Sequence, residues 1–289
     1  MMKIPIWFLV FDSDNSNMRN FCTVFGCTLF GAYSSRIVIP AKQLRHLPDD
    51  IAAATAAAIP AVSLTALYAL KLSGNWPSPT KNKNKAVLIH SCAGGVGSML
   101  TQMAKLLNLG PIVGVVGRSA KVEAAKRLGC DFVIDKSTQN LWQVAETISP
   151  DGYASIFDAN GVSTLQDSYE HLAPTGRLIV YGFHTNLPTS AMLSPFEWFR
   201  MAKKMLNMPK FDPMDLTVDN KSVMGFNLSF FSQEEDVVEE LFDKICTWLN
   251  SSQLHCPNVV EMNIAEIGEA HTLIQSGKSI GKIVLSTDT

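Results

Sequence analysis

Between Ala86 and Gly182 the chain repeats one pattern, a short apolar run followed by an amphipathic stretch, and no other feature restricts the possible folds so strongly. The segments Ala86 to His90, Ile112 to Val116, Phe132 to Asp135, Ser155 to Asp158 and Arg177 to Gly182 read as buried strands. Between them, Val96 to Leu107 carries Val96, Leu100, Met103, Ala104 and Leu107 at helical spacing, and Lys121 to Leu128, Leu141 to Ile148 and Thr164 to Leu172 read as further helices. Strand and helix alternating at this interval predict parallel strands joined by right-handed crossovers, with helices on both faces. The expected fold class is α/β, a doubly wound parallel sheet.

The flanks are less regular. Ala32 to Pro40 reads as a strand closed by proline, and Leu47-Pro48-Asp49-Asp50 as a turn and helix N-cap. Ile51 to Leu70 is rich in Ala and Leu and reads as helical, with Pro60 breaking or kinking it. Gly74 to Lys85 is a polar connector. Beyond the alternating region lie an irregular Met-, Phe- and Pro-rich stretch from Thr185 to Asp219, a strand Ser222 to Leu228, helices Glu234 to Leu249 and Ala265 to Ser276, and a last strand Lys282 to Leu285. The first 23 residues show neither helical nor strand periodicity and stay unassigned.

Composition excludes several classes of function. With 47% hydrophobic and 17% charged residues the 289-residue chain suits a globular protein rather than a disordered one. Its 24 Lys and Arg against 26 Asp and Glu leave no basic excess for a nucleic-acid backbone, so no nucleic-acid partner is expected. Six cysteines without a C-x-x-C pair, and six histidines without an H-E-x-x-H cluster, predict a reducing, cytoplasmic location and no metal. Ile4 to Phe11 runs into Asp12-Ser13-Asp14-Asn15 rather than a small-residue cleavage site. No membrane span is expected, because no run is read as reaching the roughly 18 apolar residues a spanning helix needs.

The most informative segment is His90-Ser91-Cys92-Ala93-Gly94-Gly95-Val96-Gly97, between the first strand and its helix. Unpaired N–H groups and the helix dipole at such a junction attract a dinucleotide pyrophosphate, and glycines let the backbone approach it. Read as G-x-G-x-x-G, the pattern has Gly94 and Gly97 in its second and third places and Cys92 in its first. The next informative point is the end of the second strand, about 20 residues on, where an acid would bind the ribose of NAD and a cation would accept the 2′-phosphate of NADP. There the chain reads Gly117-Arg118-Ser119-Ala120-Lys121, two cations and a hydroxyl with no acid, which favours NADP(H).

These segments, with Gln102, Lys105, Leu128-Gly129-Cys130-Asp131 and Val133-Ile134-Asp135, resemble the zinc-independent quinone oxidoreductases of the medium-chain dehydrogenase/reductase superfamily. Pro209-Lys210-Phe211-Asp212-Pro213 and Asn220 to Leu228 are similar to the branch that contains a synaptic-vesicle membrane protein, and Glu269-Ala270-His271 and Gly277 to Leu285 also resemble the family. The likeness runs from about Phe30 to Ser286. It implies that Gly94, Gly95, Val96 and Gly97 hold the pyrophosphate and that Lys121 contacts the 2′-phosphate. It also implies that Gly182 and Phe183, after Tyr181, lie beside the nicotinamide and that Asn160 faces the cofactor. Lys136 departs from the pattern, since the family commonly has a tyrosine there.

The resemblance further implies a GroES-like catalytic domain before the sheet, of which this chain carries only the end, from Phe30-Gly31-Ala32-Tyr33. A truncated gene model, an alternative start and a shortened paralogue all fit. The expected organisation is an unassigned segment 1–23, remnants of the GroES-like domain with connecting helices at 24–75 and 254–289, and an NADP-binding domain at 76–253. The expected activity is hydride transfer from NADPH to a quinone or an α,β-unsaturated carbonyl, with no catalytic residue named. The alternative is a non-catalytic NADP(H)-binding or interaction protein. The apolar edge Ser222 to Leu228 predicts a homodimer.

Weaker candidates are His90, His184 and Cys92. A lone histidine near a strand end is more commonly a hydrogen-bonded structural residue than a proton donor. Cys92 reads as a small buried residue, although a helix N-terminus would lower a thiol pKa. The stretch with Trp198, Phe199, Met201, Met205 and Met208 reads as a core or interface helix.

Overall fold

Elements form where the sequence supplies their period. In the computed structural model, residues 10–11, 23–28, 31–48, 50–74, 86–183, 206, 208–230 and 235–287 are described. In chain order these give β1 (Val10–Phe11), β2 (Val24–Gly26), β3 (Leu44–His46), α1 (Ala53–Ala57), α2 (Pro60–Leu72), β4 (Val87–His90), α3 (Gly95–Leu106) and β5 (Ile112–Val116). They continue with α4 (Val122–Leu128), β6 (Phe132–Asp135), α5 (Leu141–Ile148), β7 (Tyr153–Asp158), α6 (Leu165–Glu170) and β8 (Leu172–Val180). The last are α7 (Pro213–Asp219), β9 (Ser222–Gly225), α8 (Glu235–Asn250), β10 (Val259–Asn263), α9 (Ile267–Gln275) and β11 (Lys282–Ser286).

The chain divides into two compact units, one of residues 1–67, 94–99 and 228–289, the other of residues 68–93 and 100–227. The second unit is built on a six-stranded sheet in the order β6-β5-β4-β7-β8-β9. Every pairing in it is parallel. The order runs outward from β4 in both directions, so β4 and β7 flank the point where the winding reverses, and this is the doubly wound α/β sheet that the alternation predicts. Every residue of β4 and β5 is buried, as strands covered on both faces require. One core cluster joins Leu88, Val113, Val115, Ile134, Ile156 and Leu178 from five strands, and the Tyr153 hydroxyl inside it is satisfied by donating to the Ala145 carbonyl at 2.8 Å. Arg177 donates to the Leu72 carbonyl at 3.0 Å, so a cation caps the C-terminal end of α2.

The first unit holds smaller sheets. β1, β2 and β3 pair antiparallel, and β10 pairs with β11 in parallel from Val259 opposite Lys282 to Asn263 opposite Ser286. Ala57 and Ala58 pack with Val284 against Val259. Phe25 meets Phe242 edge-on at 5.3 Å between ring centroids, and Arg45 pairs with Asp243 at 2.6 Å.

Several expectations need correction. Ala32 to Pro40 forms no strand; Ser34 accepts from the Arg36 N–H and donates to the Arg36 carbonyl, a local pairing that replaces a ladder, and Val38 is 97% exposed. β9 stops at Gly225, three residues before the expected end at Leu228. Strand β10 was not expected, because Val259-Val260-Glu261-Met262-Asn263 lacks clean alternation. Ala53–Leu72 is a 20-residue stretch long and apolar enough to cross a membrane by length and composition, contrary to the expectation that no run reaches that size. Of its most apolar window 67% is buried inside the protein, as in a core helix, and Pro60 interrupts it at the start of α2. His184 and most of the Met-rich stretch lie outside the described residues.

The reversal point is held by one buried carboxylate. Asp158, at the end of β7 and without exposure, accepts at Oδ1 from the N–H groups of Asn160 (2.7 Å) and Gly161 (3.2 Å). At Oδ2 it accepts from the hydroxyls of Thr164 (2.7 Å) and Ser168 (3.0 Å). His90 Nε2 lies 3.1 Å from the Ser168 oxygen and 3.7 Å from Asp158 Oδ2. With the Ser168 proton given to Asp158, the network assigns the imidazole proton to Nε2, donating to Ser168. Burial pushes the His90 pKa below its ordinary 6.5, against the opposing pull of Asp158 and with the repulsion of Lys136.

Replacing Asp158 by Ala strips four donors of their acceptor, so chemical denaturation should show a loss of about 3 to 5 kcal/mol. The depressed His90 pKa means that the unfolded chain takes up a proton before the folded one does. Stability should therefore fall as pH drops below 6.5, the unfolded value, and His90→Gln should flatten that part of a Tm-against-pH curve.

Candidate functional site

In an open parallel sheet, ligands bind beyond the carboxyl ends of the strands, beside the point where the winding reverses. In the second unit those ends bring together Ser91 after β4, Gly117 to Lys121 after β5, Lys136 after β6, Asn160 and Gly161 after β7, and Gly182 and Phe183 after β8. The sheet order places them in two groups.

On one side, β5 and β6 are neighbours in register from Val113 opposite Phe132 to Val116 opposite Asp135. Their ends bring Arg118, Ser119, Lys121 and Lys136 to one corner. A side chain on Gly117 would meet Lys136 Cε at 3.5 Å, so the lysine stem crosses the turn after β5. Burial first, and then the Arg118 guanidinium, push the Lys121 ammonium below its usual range. Like charges held this close suit a multiply charged anion. Ser119 donates its hydroxyl to Asp135, which also accepts from the N–H and hydroxyl of Ser137. These bonds, that of Ser119 first, hold the Asp135 pKa below the ordinary carboxylate value. Sequence reading missed Asp135 as the anchor of this corner. The signal available was an acid ending a strand, followed by Ser137.

On the other side, β7 and β8 are neighbours. A side chain on Gly161 would lie 2.7 Å from the Phe183 ring and 3.2 Å from its Cα, and Gly161 has φ +91°. Glycine is therefore required here both by conformation and by the approach of Phe183. Gly182 packs with similar closeness on Ala159, where a side chain would meet the carbonyl at 3.2 Å. Ser91, itself at φ +54°, donates to Asn160 Oδ1 at 3.3 Å and ties the turn after β4 to this side. His90 is committed to the Asp158 network, which supports its reading as a structural residue.

Cys92 and Ala93 continue from Ser91, and both are buried. The Cys92 N–H donates to the Val115 carbonyl at 3.2 Å. Its thiol is pushed up, first by a hydrogen bond to Cys130 and then by burial, the reverse of an activated cysteine.

The chain then runs directly into Gly94 to Gly97, which pack within the first unit. Gly94 bridges to Gly281, and a side chain on Gly95 would meet Val62 at 3.1 Å and the Gly281 carbonyl at 3.4 Å. Gly95 and Gly97 lie in the first turn of α3, and the Ser98 N–H donates to the Gly94 carbonyl at 2.8 Å. Beside them Lys282, its Cδ 3.6 Å from the position a Gly95 side chain would take, is pushed down to about 8 by burial.

Among the described residues no group of three or more His, Cys, Asp or Glu could hold a metal ion. The zinc that some dehydrogenases carry has no ligand set in them.

Residues 95–243 match the family described as zinc-binding dehydrogenase. The synaptic vesicle membrane protein VAT-1 homolog of Danio rerio is 26% identical over 258 residues, 89% of this chain and 51% of that protein. The 2-haloacrylate reductase of a Burkholderia species is 32% identical over 156 residues, 53% of this chain and 45% of that protein. Among solved structures, Escherichia coli quinone oxidoreductase complexed with NADPH aligns with a TM-score of 0.73 at 21% identity, covering 93% of this chain and 76% of that one. The chain thus spans about half the length of these two curated relatives. With a family match over 95–243, just over half of its length, the chain belongs to the zinc-binding dehydrogenase family.

Proposed function

We propose that this protein is an NADP(H)-dependent oxidoreductase acting on a small quinone or α,β-unsaturated carbonyl. The observation that carries the cofactor assignment is the cationic corner of Arg118, Lys121 and Lys136 where an NAD enzyme would place an acid. In this reading 76–253 is the dinucleotide-binding domain and its flanks are parts of a GroES-like domain. Gly94, Gly95, Val96 and Gly97 receive the pyrophosphate through backbone N–H groups at the start of α3. Arg118 and Lys121 take the 2′-phosphate, with the loop held in shape by the Ser119 bond to Asp135. Asn160, Gly182 and Phe183 bound the nicotinamide, Phe183 excluding water from one face and Asn160 fixed by Ser91. The nicotinamide supplies the hydride when bound, so these residues have to hold and orient rather than react. The names of the Burkholderia reductase and of the E. coli enzyme support this class of reaction.

A non-catalytic NADP(H)-binding role is the second reading. Turnover separates the two. Closing the site against water and orienting an acceptor are worth about 7 to 11 kcal/mol in favourable cases, so the rate reports whether a complete site is present. We expect these 289 residues to bind NADPH and oxidise it with a small quinone in stopped flow on the first reading, and to bind it without turnover on the second. Rapid, saturable turnover would show a complete site and end the second reading.

Cofactor preference is read by titration. NADPH should bind more tightly than NADH, and Lys121→Ala should weaken NADPH by about 1.5 to 3 kcal/mol, tenfold or more, while leaving NADH nearly unchanged. Equal affinities of the wild type for the two cofactors would refute the assignment.

The second unit's sheet ends at β9, whose Val223 and Met224 are half-buried. Among the described residues no further strand pairs with β9, and an apolar edge of this kind favours pairing with a second copy across a twofold axis. Light scattering should then report twice the 31.6 kDa chain mass, and a monomer at micromolar concentration would refute the pairing.

A further inference from the structure

Gly114, in the middle of β5, has no room for a side chain because two sulfurs occupy it. A Cβ there would lie 2.5 Å from Cys130 Sγ and 2.6 Å from Cys92 Sγ. The two sulfurs therefore sit against one point, and their separation cannot exceed the sum of those distances. Cys92 comes from the turn after β4, and Cys130 from the residue between the Gly129 C-cap of α4 and the approach to β6. Both are free thiols.

We propose that Cys92 and Cys130 form a redox modification site, oxidised by a peroxide to a disulfide that crosses β5 over Gly114 and weakens dinucleotide binding. The part of the proposal that concerns binding rests on the cofactor reading above; the part that concerns the disulfide does not.

The surroundings distinguish the two sulfurs. Cys92 and Cys130 are in side-chain hydrogen-bond contact, and the Thr101 hydroxyl lies 3.8 Å from Cys130 Sγ. These contacts lower the Cys130 pKa from its ordinary value, with the Cys92 bond first, while the same bond raises that of Cys92. Cys130 also has the only opening of the pair, being 7% exposed against 0% for Cys92. Thiolate character and access both make Cys130 the sulfur oxidised first.

The chemistry closes with hydrogen peroxide as the oxidant. The Cys130 thiolate attacks one peroxide oxygen, the O–O bond breaks, and with one proton the products are a sulfenic acid and water. The Cys92 sulfur then attacks the sulfenic sulfur, the S–O bond breaks, and the Cys92 proton leaves with the hydroxyl as a second water. Two thiols lose two electrons in total and the peroxide gains them. Glycine at 114 keeps the path between the sulfurs free of side-chain atoms.

A disulfide holds its sulfurs at about 2.05 Å. Reaching that distance from a hydrogen-bonded contact draws Cys92 toward β6. Cys92 is one residue after Ser91, which orients Asn160, and two before Gly94. The displacement therefore acts on the turn that leads into α3.

The test treats the full chain with stoichiometric hydrogen peroxide, blocks remaining thiols under denaturing conditions and maps linked peptides by mass spectrometry, with NADPH affinity measured before and after. A Cys92–Cys130 linkage should form ahead of oxidation at the half-buried Cys27, Cys246 and Cys256, and dithiothreitol should reverse it. NADPH affinity should fall roughly tenfold on oxidation and recover on reduction. Cys130→Ser, checked for an unchanged Tm, should bind NADPH as reduced wild type does and show no response to peroxide. Oxidation confined to the other cysteines would overturn the proposal, as would a linkage that leaves NADPH affinity unchanged. If reduced protein binds no NADPH, the cofactor reading fails, and absence or presence of the linkage still decides the modification site.

Discussion

A carboxylate withdrawn from water must be surrounded by donors, and Asp158 sets the geometry of the sheet's reversal point by collecting four of them. Two are backbone N–H groups of the turn after β7, so the path of Asn160 and Gly161 is fixed from below. Two are hydroxyls from Thr164 and Ser168, which tie the start and the body of α6 to the strand. Through Ser168 the arrangement reaches His90 on the adjacent strand β4. The strand ends on which a ligand would rest are thus connected by buried polar bonds rather than by apolar packing alone. That gives them direction as well as adhesion.

The cationic corner follows a similar plan at the other end of the reversal. Asp135 accepts from the Ser119 hydroxyl and from the N–H and hydroxyl of Ser137, so its carboxylate is engaged by the loop. An acid is present near the expected ribose position in space, yet it belongs to β6 and serves to shape the loop. Sequence distance alone would not separate an acid that receives a ribose from one that braces a turn.

The alternating region was legible because its two periods are strong. β4, β5 and β6 lie where the apolar runs do, and α3 begins one residue before Val96. Pro60 marks the start of α2, as its missing N–H allows. What escaped reading depends on contacts distant in sequence. Val259 to Asn263 becomes a strand only because β11, some twenty residues later, pairs with it in parallel. Ala32 to Pro40 has the composition of a strand, but Ser34 and Arg36 bond locally there and no ladder forms. In the candidate site the glycines and cations could be listed from the sequence; the closeness of Cys92 to Cys130 could not, since thirty-seven residues, a strand among them, lie between the two.

The division of the chain has a consequence for its synthesis. One unit is assembled from 1–67, 94–99 and 228–289, and the other from 68–93 and 100–227. All residues of the second have left the ribosome while the last segment of the first is still being made. β4 through β9 can therefore form their sheet early, whereas β11, Gly281 and the partners of Phe25 on α8 arrive last. Until they do, Phe25 and the α1 alanines have no apolar cover from those elements, and this interval is where chaperones or premature association would act on the nascent chain.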